Sequence, residues 1–104
     1  SVGTTSAGDI VSMAIDLDSS TKTIKWQKNG SDLSGTTQLT ISHTGYYWAI
    51  SCRCDGGQNI TANFGSPAYS ISSGNSDADG HGNFEYAVPS GYFALCTKNL
   101  AEYG

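Results

Sequence analysis

The stretch GDIVSMAIDLDSSTKTIKWQKNG, residues 8–30, alternates apolar and polar residues on both sides of a short polar interruption. The apolar residues that alternate with polar or small ones in it are Val11, Met13, Ile15, Leu17, Ile24 and Trp26. Alternation with a period of two is typical of a β-strand that buries one face. Residues 18–21 form the first turn, and Asn29-Gly30 forms a tight second turn because both residues tolerate positive φ. The stretch therefore predicts strand, turn, strand, turn.

Similar alternation recurs along the rest of the chain. Further strands are expected at Leu39 and Ile41, over residues 46–55, over residues 60–64 and over residues 84–88. A polar, glycine-rich surface loop occupies residues 72–83, and residues 89–104 form a C-terminal tail segment. No window repeats apolar residues at helical spacing between capping residues, so we predict no helix. The pattern predicts an all-β, antiparallel β-sandwich, a single domain over residues 1–104, with Trp48, Cys52 and Phe64 in its interior.

The charge balance excludes two classes of function. Five Lys and Arg residues face nine Asp and Glu residues, for a formal net charge of −4. A nucleic-acid binder needs a basic stripe to neutralise phosphates, and cationic binding to a membrane surface is disfavoured for the same reason. No apolar run approaches the roughly 18 residues of a membrane span, so we expect no membrane insertion. The chain begins at Ser1 without a methionine, from which we expect processing or truncation.

The three cysteines are better explained by packing than by chemistry. An odd number argues against a disulfide framework, so we expect reduced thiols in a protein assembled in the cytoplasm. Cys52 and Cys54 share a predicted strand face with Trp48 and Ile50, and a bridge between them would be strained. No histidine or second cysteine pair lies at zinc-ligand spacing. We interpret both thiols as core residues.

The remaining chemical candidates are histidines and carboxylates. His43 and His81 lie in polar turns without a serine or cysteine in a nucleophile motif, and we interpret them as solvated. Asp16 and Asp18 project from the polar face of one strand, where they cannot straddle a sugar bond. Asp18 is expected to close its turn through the backbone, as Asx turns do. We therefore predict no catalytic residue and no enzymatic activity.

The loop NSDADGHGN holds the best candidate for a cation. Asn75, Asp77 and Asp79, followed by Gly80, reproduce the first part of a calcium-binding loop. The twelfth position, which should carry a bidentate glutamate, is Tyr86. We therefore expect a flexible acidic turn and no cofactor, with calcium as the alternative.

Three motifs, in order over residues 8–100, together resemble a SPRY domain. IDLD, a polar turn and IKWQKNG resemble its strand-turn-strand unit, and YWAIS followed by NFG resembles its next two landmarks. The motif residues are Asp16, Asp18, Trp26, Asn29, Gly30, Asn63, Phe64 and Gly65. VPSGYFALCTKNL, residues 88–100, resembles the tail that follows SPRY-like domains in bacteriophage and marine-virus structural proteins.

The resemblance implies a concanavalin A-like sandwich, with one departure. SPRY domains usually carry several strands before this hairpin, and here only residues 1–7 precede it. We therefore expect the C-terminal part of a longer domain, incomplete at its N-terminal side. Missing segments or neighbouring subunits would cover its open strand edges.

For function, the resemblance implies recognition without reaction chemistry, through loops on a rigid sheet. The candidate loops are residues 32–37, 43–47, 55–58 and 72–83. The candidate contact residues are Asp32, His43, Tyr46, Tyr47, Asp55 and Gln58. Tyr46 and Tyr47 offer apolar area with a hydroxyl, although Tyr46 is the one expected to point into the core.

The C-terminal resemblance implies a virion structural protein, a surface decoration, fibre or tail module assembled in the host cytoplasm. It would attach to other virion proteins or to a host surface receptor or glycan, as part of an oligomer or a particle. A cellular SPRY adaptor that binds a peptide is an alternative. A lectin-like carbohydrate-binding module and a carbohydrate-active enzyme are further alternatives.

Overall fold

The computed structural model describes residues 4–33, 38–42, 51, 56–57 and 59–104. Regular structure in these ranges consists of β1 Val11–Asp16, β2 Thr23–Lys28, β3 Ser31–Asp32, β4 Gln38–Thr40 and α1 Thr97–Tyr103. The strands form one antiparallel four-stranded sheet, in which β2 pairs with β1 on one edge and with β3 and β4 on the other. No helix in the described ranges is long and apolar enough to cross a membrane. The predicted fold class is therefore confirmed as a mainly β fold with an antiparallel sheet.

The register of the first hairpin follows the alternation in the sequence. Met13 lies opposite Trp26 and Ile15 lies opposite Ile24, so all four side chains share one face of the sheet. Leu39 of β4 lies opposite Ile24, which confirms the strand predicted at Leu39, whereas Ile41 lies just beyond its end. The four side chains on this face of the hairpin are half-buried, and Leu39 is exposed.

Both turns of the hairpin region form where the sequence predicts them. Asn29 and Gly30 have φ of 49° and 78° and connect Lys28 directly to Ser31, as a two-residue turn with both central residues at positive φ. In the first turn the predicted role of Asp18 is wrong. Asp16 closes that turn instead, because its Oδ1 accepts the backbone N–H groups of Asp18 and Ser19, both at 3.0 Å.

An ion pair and two hydrogen bonds hold the segment before β1 against the Asn29-Gly30 turn. Asp9 forms an ion pair with Lys28 at 2.9 Å and accepts a hydrogen bond from Nδ2 of Asn29 at 2.8 Å. Oδ1 of Asn29 in turn accepts the backbone N–H of Ile10 at 2.9 Å. Asn29 therefore sets the turn with its backbone and anchors the preceding segment with its side chain.

The C-terminal half departs from the predicted strands. Residues 60–64 form no strand, because Oδ1 of Asn63 accepts the backbone N–H of Gly65 at 2.8 Å and turns the chain. Residues 84–88 contribute one isolated bridge, between Asn75 and Phe84. Phe64, predicted in the interior, is 50% exposed. Val11 and Leu17, predicted on the buried face, are also exposed.

The prediction of no helix is wrong. Helix α1 follows an extended Cys96 and ends at Tyr103, and the N–H of Gly104, the C-cap residue, donates to the carbonyl of Leu100. Its interior contains good helix formers such as Leu100, Ala101 and Glu102. The strand predicted over residues 46–55, with Trp48, Cys52 and Cys54, lies outside the described residues except for Ser51.

Candidate functional site: the clamped C-terminal segment

The buried carboxylate of Asp77 joins the loop before it to the C-terminal segment. Its Oδ1 accepts the backbone N–H groups of Asp79 at 3.1 Å and His81 at 2.8 Å. Its Oδ2 accepts the backbone N–H of Ala94 at 2.9 Å and Nδ2 of Asn99 at 2.7 Å. Two of these donors are local and two come from the distant residues 94 and 99, so one side chain clamps two parts of the chain. We call residues 77–81 and 94–99 the Asp77 clamp.

Asn99 completes the clamp from helix α1. It is 6% exposed, and its Nδ2 also donates to the carbonyl of Ala94 at 2.8 Å. A neutral amide suits this position because it supplies both donors that the Asp77 carboxylate and the Ala94 carbonyl require. Oδ1 of Asn99 is buried and accepts no hydrogen bond from the described residues.

Charge on Asp77 is favoured by these donors. Burial by itself raises the pKa of Asp77, but the hydrogen bonds, led by that from Ala94, outweigh it and lower the pKa to about 2. Asp77 is therefore an anion over the whole physiological range of pH, and the clamp stays closed there.

A second contact holds α1 one helical turn further on. The hydroxyl of Tyr103 donates to Oδ2 of Asp79 at 2.9 Å. Asn99 and Tyr103 are four residues apart and lie on one side of the helix, so Asp77 and Asp79 accept hydrogen bonds from the same side of α1. The Tyr103 ring also packs against Phe93, with ring centroids 5.4 Å apart.

The base of the loop is closed by a separate set of hydrogen bonds. The backbone N–H and the hydroxyl of Ser72 donate to the Glu85 carboxylate, and the Ser73 hydroxyl donates to the Glu85 carbonyl. The Ser72 contacts lower the pKa of Glu85. Asn75 and Phe84 exchange two backbone hydrogen bonds of 2.8 Å. The predicted surface loop over residues 72–83 is therefore tied at both its base and its tip.

The Asn-Phe-Gly motif packs against this assembly. Nδ2 of Asn63 donates to the carbonyl of Asn83 at 2.9 Å. Gly65 has φ of 122°, and a Cβ there would lie 3.2 Å from Cα of Gly82 and 3.8 Å from Cβ of Ala94. Only glycine allows this close approach at such a φ. The motif therefore positions the loop against the C-terminal segment.

The clamped segment presents apolar side chains to solvent. Phe93, Leu95, Leu100 and Tyr103, which we call the C-terminal apolar surface, are 49%, 60%, 54% and 60% exposed. Ala94, between the first two, is buried next to Asp77. The same hydrogen bonds that fix the backbone therefore hold these exposed groups on a braced support.

The residues proposed for calcium are engaged in hydrogen bonds. Both oxygens of Asp77 are occupied by the clamp, and Oδ2 of Asp79 accepts the Tyr103 hydroxyl. Nδ2 of Asn75 donates to Ser73 and to the carbonyls of Phe84 and Glu85. In the described ranges no group of three or more His, Cys, Asp or Glu residues is placed to hold a metal ion. Calcium binding by this loop stays an untested hypothesis.

Of the six predicted contact residues, the structure describes only Asp32. Asp32 forms an ion pair with Lys25 at 2.9 Å and accepts Nε2 of Gln27 at 2.9 Å. These contacts, Gln27 first, lower the pKa of Asp32. The other five lie outside the described residues: His43, Tyr46, Tyr47, Asp55 and Gln58. His81 joins the clamp through its backbone, donating to Asp77 and accepting the Asp77 N–H at 2.9 Å.

Sequence reasoning missed Asn99 and the apolar surface. The sequence indicated a turn here, because the Asp79-Gly80 pair two residues after Asp77 is a frequent turn pattern, but it did not indicate that Asp77 is the residue that closes it. Nothing in the sequence indicates that Asn99, 22 positions away, supplies a donor to the same carboxylate. The residues that carry these exposed side chains were predicted only as part of a C-terminal tail segment, residues 89–104.

Acid is expected to destabilise the chain between about pH 4 and pH 2. The pKa values of Asp9 and Asp77 fall from 3.8 to about 2 on folding, that of Asp9 chiefly through Lys28. Folding lowers both pKa values, so the two ionised carboxylates stabilise the folded chain fully above their pKa in the unfolded chain. This stabilisation is lost as the pH falls through their pKa in the folded chain. Melting temperatures measured from pH 5 to pH 2 test this, with Asp9→Asn expected to flatten the decline and the exposed Asp18→Asn to retain it. A decline equally steep in Asp9→Asn would contradict the assignment.

The chain matches no protein-family model, no curated protein sequence and no solved structure in our comparisons.

Proposed function

We propose that this chain is a non-enzymatic binding and structural module of a phage or virus particle. The observation that carries the proposal is the clamped C-terminal segment, which holds exposed apolar side chains on a hydrogen-bonded support. Apolar side chains held exposed on such a support are typical of interaction sites, because burying them against a partner removes them from water. The module attaches to neighbouring virion proteins or to a host surface receptor.

The small interior of the described residues supports a role in assembly. Ala94 is the one apolar side chain that is buried in these ranges, and the sheet face with Met13 and Trp26 is only half-buried. A single layer with so little buried apolar area contributes little free energy of folding. We propose that a second layer covers this face, as in a SPRY-like β-sandwich, and that neighbouring subunits or further segments of the longer domain complete it.

The virion assignment rests on the resemblance of residues 88–100, and the clamp gives that resemblance a physical role. Both of the distant donors to Asp77, Ala94 and Asn99, lie in this tail. A tail of this kind is therefore a rigid presenting element in the proposed module. Its location is the mature particle, after assembly in the host cytoplasm.

The carboxylates that the structure describes have supporting roles in this proposal. Asp16 closes a turn, Asp77 closes the clamp and Glu85 closes the loop base. Each therefore stabilises backbone geometry, which is the role of a scaffold residue.

Immunogold labelling of intact particles tests the proposed function. Antibodies raised against the chain should label particles from the producing host in repeated copies, and preincubation with the free chain should abolish the label. Detection of the chain only in the cell fraction, never in purified particles, would contradict the virion role and favour the cellular adaptor. Binding on a glycan array without product formation would identify a host glycan as the attachment target.

A further inference from the structure

The C-terminal apolar surface lies in an acidic part of the molecule. Over residues 59–104 the only basic residue apart from His81 is Lys98, and the acidic residues are Asp77, Asp79, Glu85 and Glu102. Asp79 and Glu102 are exposed, and Asp79 contacts Tyr103 directly. The hydrogen bond to Asp79 and the nearby charges of Asp79, Glu102 and Asp77 raise the pKa of Tyr103. The Tyr103 end of the C-terminal apolar surface therefore lies among negative charges.

We propose that this surface binds an apolar segment of another protein that carries lysine or arginine residues beside its apolar side chains. The inference rests on the proposed binding function and names the chemistry of the partner. Leu95 and Leu100 would be covered by the partner's apolar groups. Its cations would lie against Asp79 and Glu102, because opposite charges at the rim of an apolar contact select the partner.

Charge also decides against two other occupants. A second copy would bring the same acidic segment, and the whole chain carries a net charge of −4. Like charges facing one another across an interface disfavour such a pair. An anionic lipid surface is repelled by the same negative charges, since interfacial binding normally needs cationic side chains.

A pair of matched peptide probes tests the proposal on the full chain. Both are fluorescent 14-residue amphipathic helices with the same leucine face, one with lysines and one with glutamates on the polar face. We expect the lysine peptide to bind at least about tenfold more tightly in fluorescence anisotropy at about 50 mM salt. The difference should shrink at about 500 mM salt, where screening is strong.

Two test variants, Leu100→Asp and Glu102→Lys, locate the binding, with Leu17→Asp as the control. Leu100→Asp should weaken binding of the lysine peptide about tenfold, whereas Leu17→Asp, the same change at a leucine of similar exposure directly before the first turn, should leave it unchanged. Glu102→Lys should reduce the preference for the lysine peptide without altering the melt, because Glu102 is exposed on α1. This second variant keeps the test valid if Leu100→Asp does not fold.

Three results would overturn the proposal: equal binding of both peptides, loss of binding in Leu17→Asp as large as in Leu100→Asp, or concentration-dependent self-association that Leu100→Asp abolishes. The outcome is separable from the proposed function. If the chain is found in particles but binds both peptides equally, this inference is wrong and the virion role stands. If the chain is absent from particles but binds the lysine peptide selectively, the virion role is wrong and this inference stands.

Discussion

Replacing Asn99 with aspartate is expected to lower the melting temperature by about 10 °C or more. The substitution keeps the shape of the side chain but removes both donors, to Oδ2 of Asp77 and to the carbonyl of Ala94. It also places a second carboxylate 2.7 Å from the first, in a site where Asn99 is 6% exposed. Two adjacent buried anions repel one another strongly, because little water screens them.

A matched control separates this effect from the general cost of a new charge. Asn59→Asp changes an exposed asparagine of the same half of the chain and should melt within about 2 °C of the parent. The double variant Asp77→Asn with Asn99→Asp should recover part of the loss, because it restores one amide and one carboxylate across the pair. Equal melting of Asn99→Asp and Asn59→Asp would show that the clamp does not stabilise the C-terminal segment.

Replacing Gly30 with alanine is expected to cost about 2 to 4 kcal/mol of stability, from two causes that add. Gly30 has φ of 78°, where a Cβ is strained against its own backbone. A Cβ there would also lie 2.7 Å from Cδ1 of Tyr86, so the ring must move. The measurement is the free energy of unfolding by chemical denaturation.

The chain offers controls for each cause. Gly91→Ala shares the positive φ, at 83°, but its Cβ would meet nothing within 4 Å, so only the backbone cost of about 1 kcal/mol is expected. Adding Tyr86→Ala to Gly30→Ala removes the clash, and the two changes together should cost less than the sum of the single changes. If Gly30→Ala and Gly91→Ala lose the same stability, the ring does not restrict position 30.

Part of this molecule could be predicted because its determinants are local. Ile15 and Ile24 lie on one sheet face since alternation with a period of two is a property of each strand by itself. The Asn29-Gly30 turn was predicted from the tolerance of these two residues for positive φ. In the first turn the motif was correct but the residue was not, because Asp16 and Asp18 can both close an Asx turn and sequence does not rank them.

Other features escaped prediction because their causes are not periodic. Helix α1 has 7 residues, about two turns, which is too short for a repeat of apolar positions to appear. Residues 60–64 alternate like a strand, yet the Asn63 side chain competes for the backbone and bends it. The pattern of apolar residues carries no information about whether a polar side chain will bond to the backbone in this way.

The amino-acid sequence by itself determined the hairpin of β1 and β2, the Asn29-Gly30 turn that follows β2, and the acidic character of the chain. Neighbours along the chain decide strand alternation and turn geometry, and composition decides net charge. Only the tertiary structure decided that Asp77 is a clamp, that Asn99 completes it and that Phe93 and Tyr103 meet at the surface. The physical reason is the distance along the chain. A hydrogen bond between residues 77 and 99 exists only when folding brings their atoms within hydrogen-bonding distance, here 2.7 Å, and no local propensity specifies that.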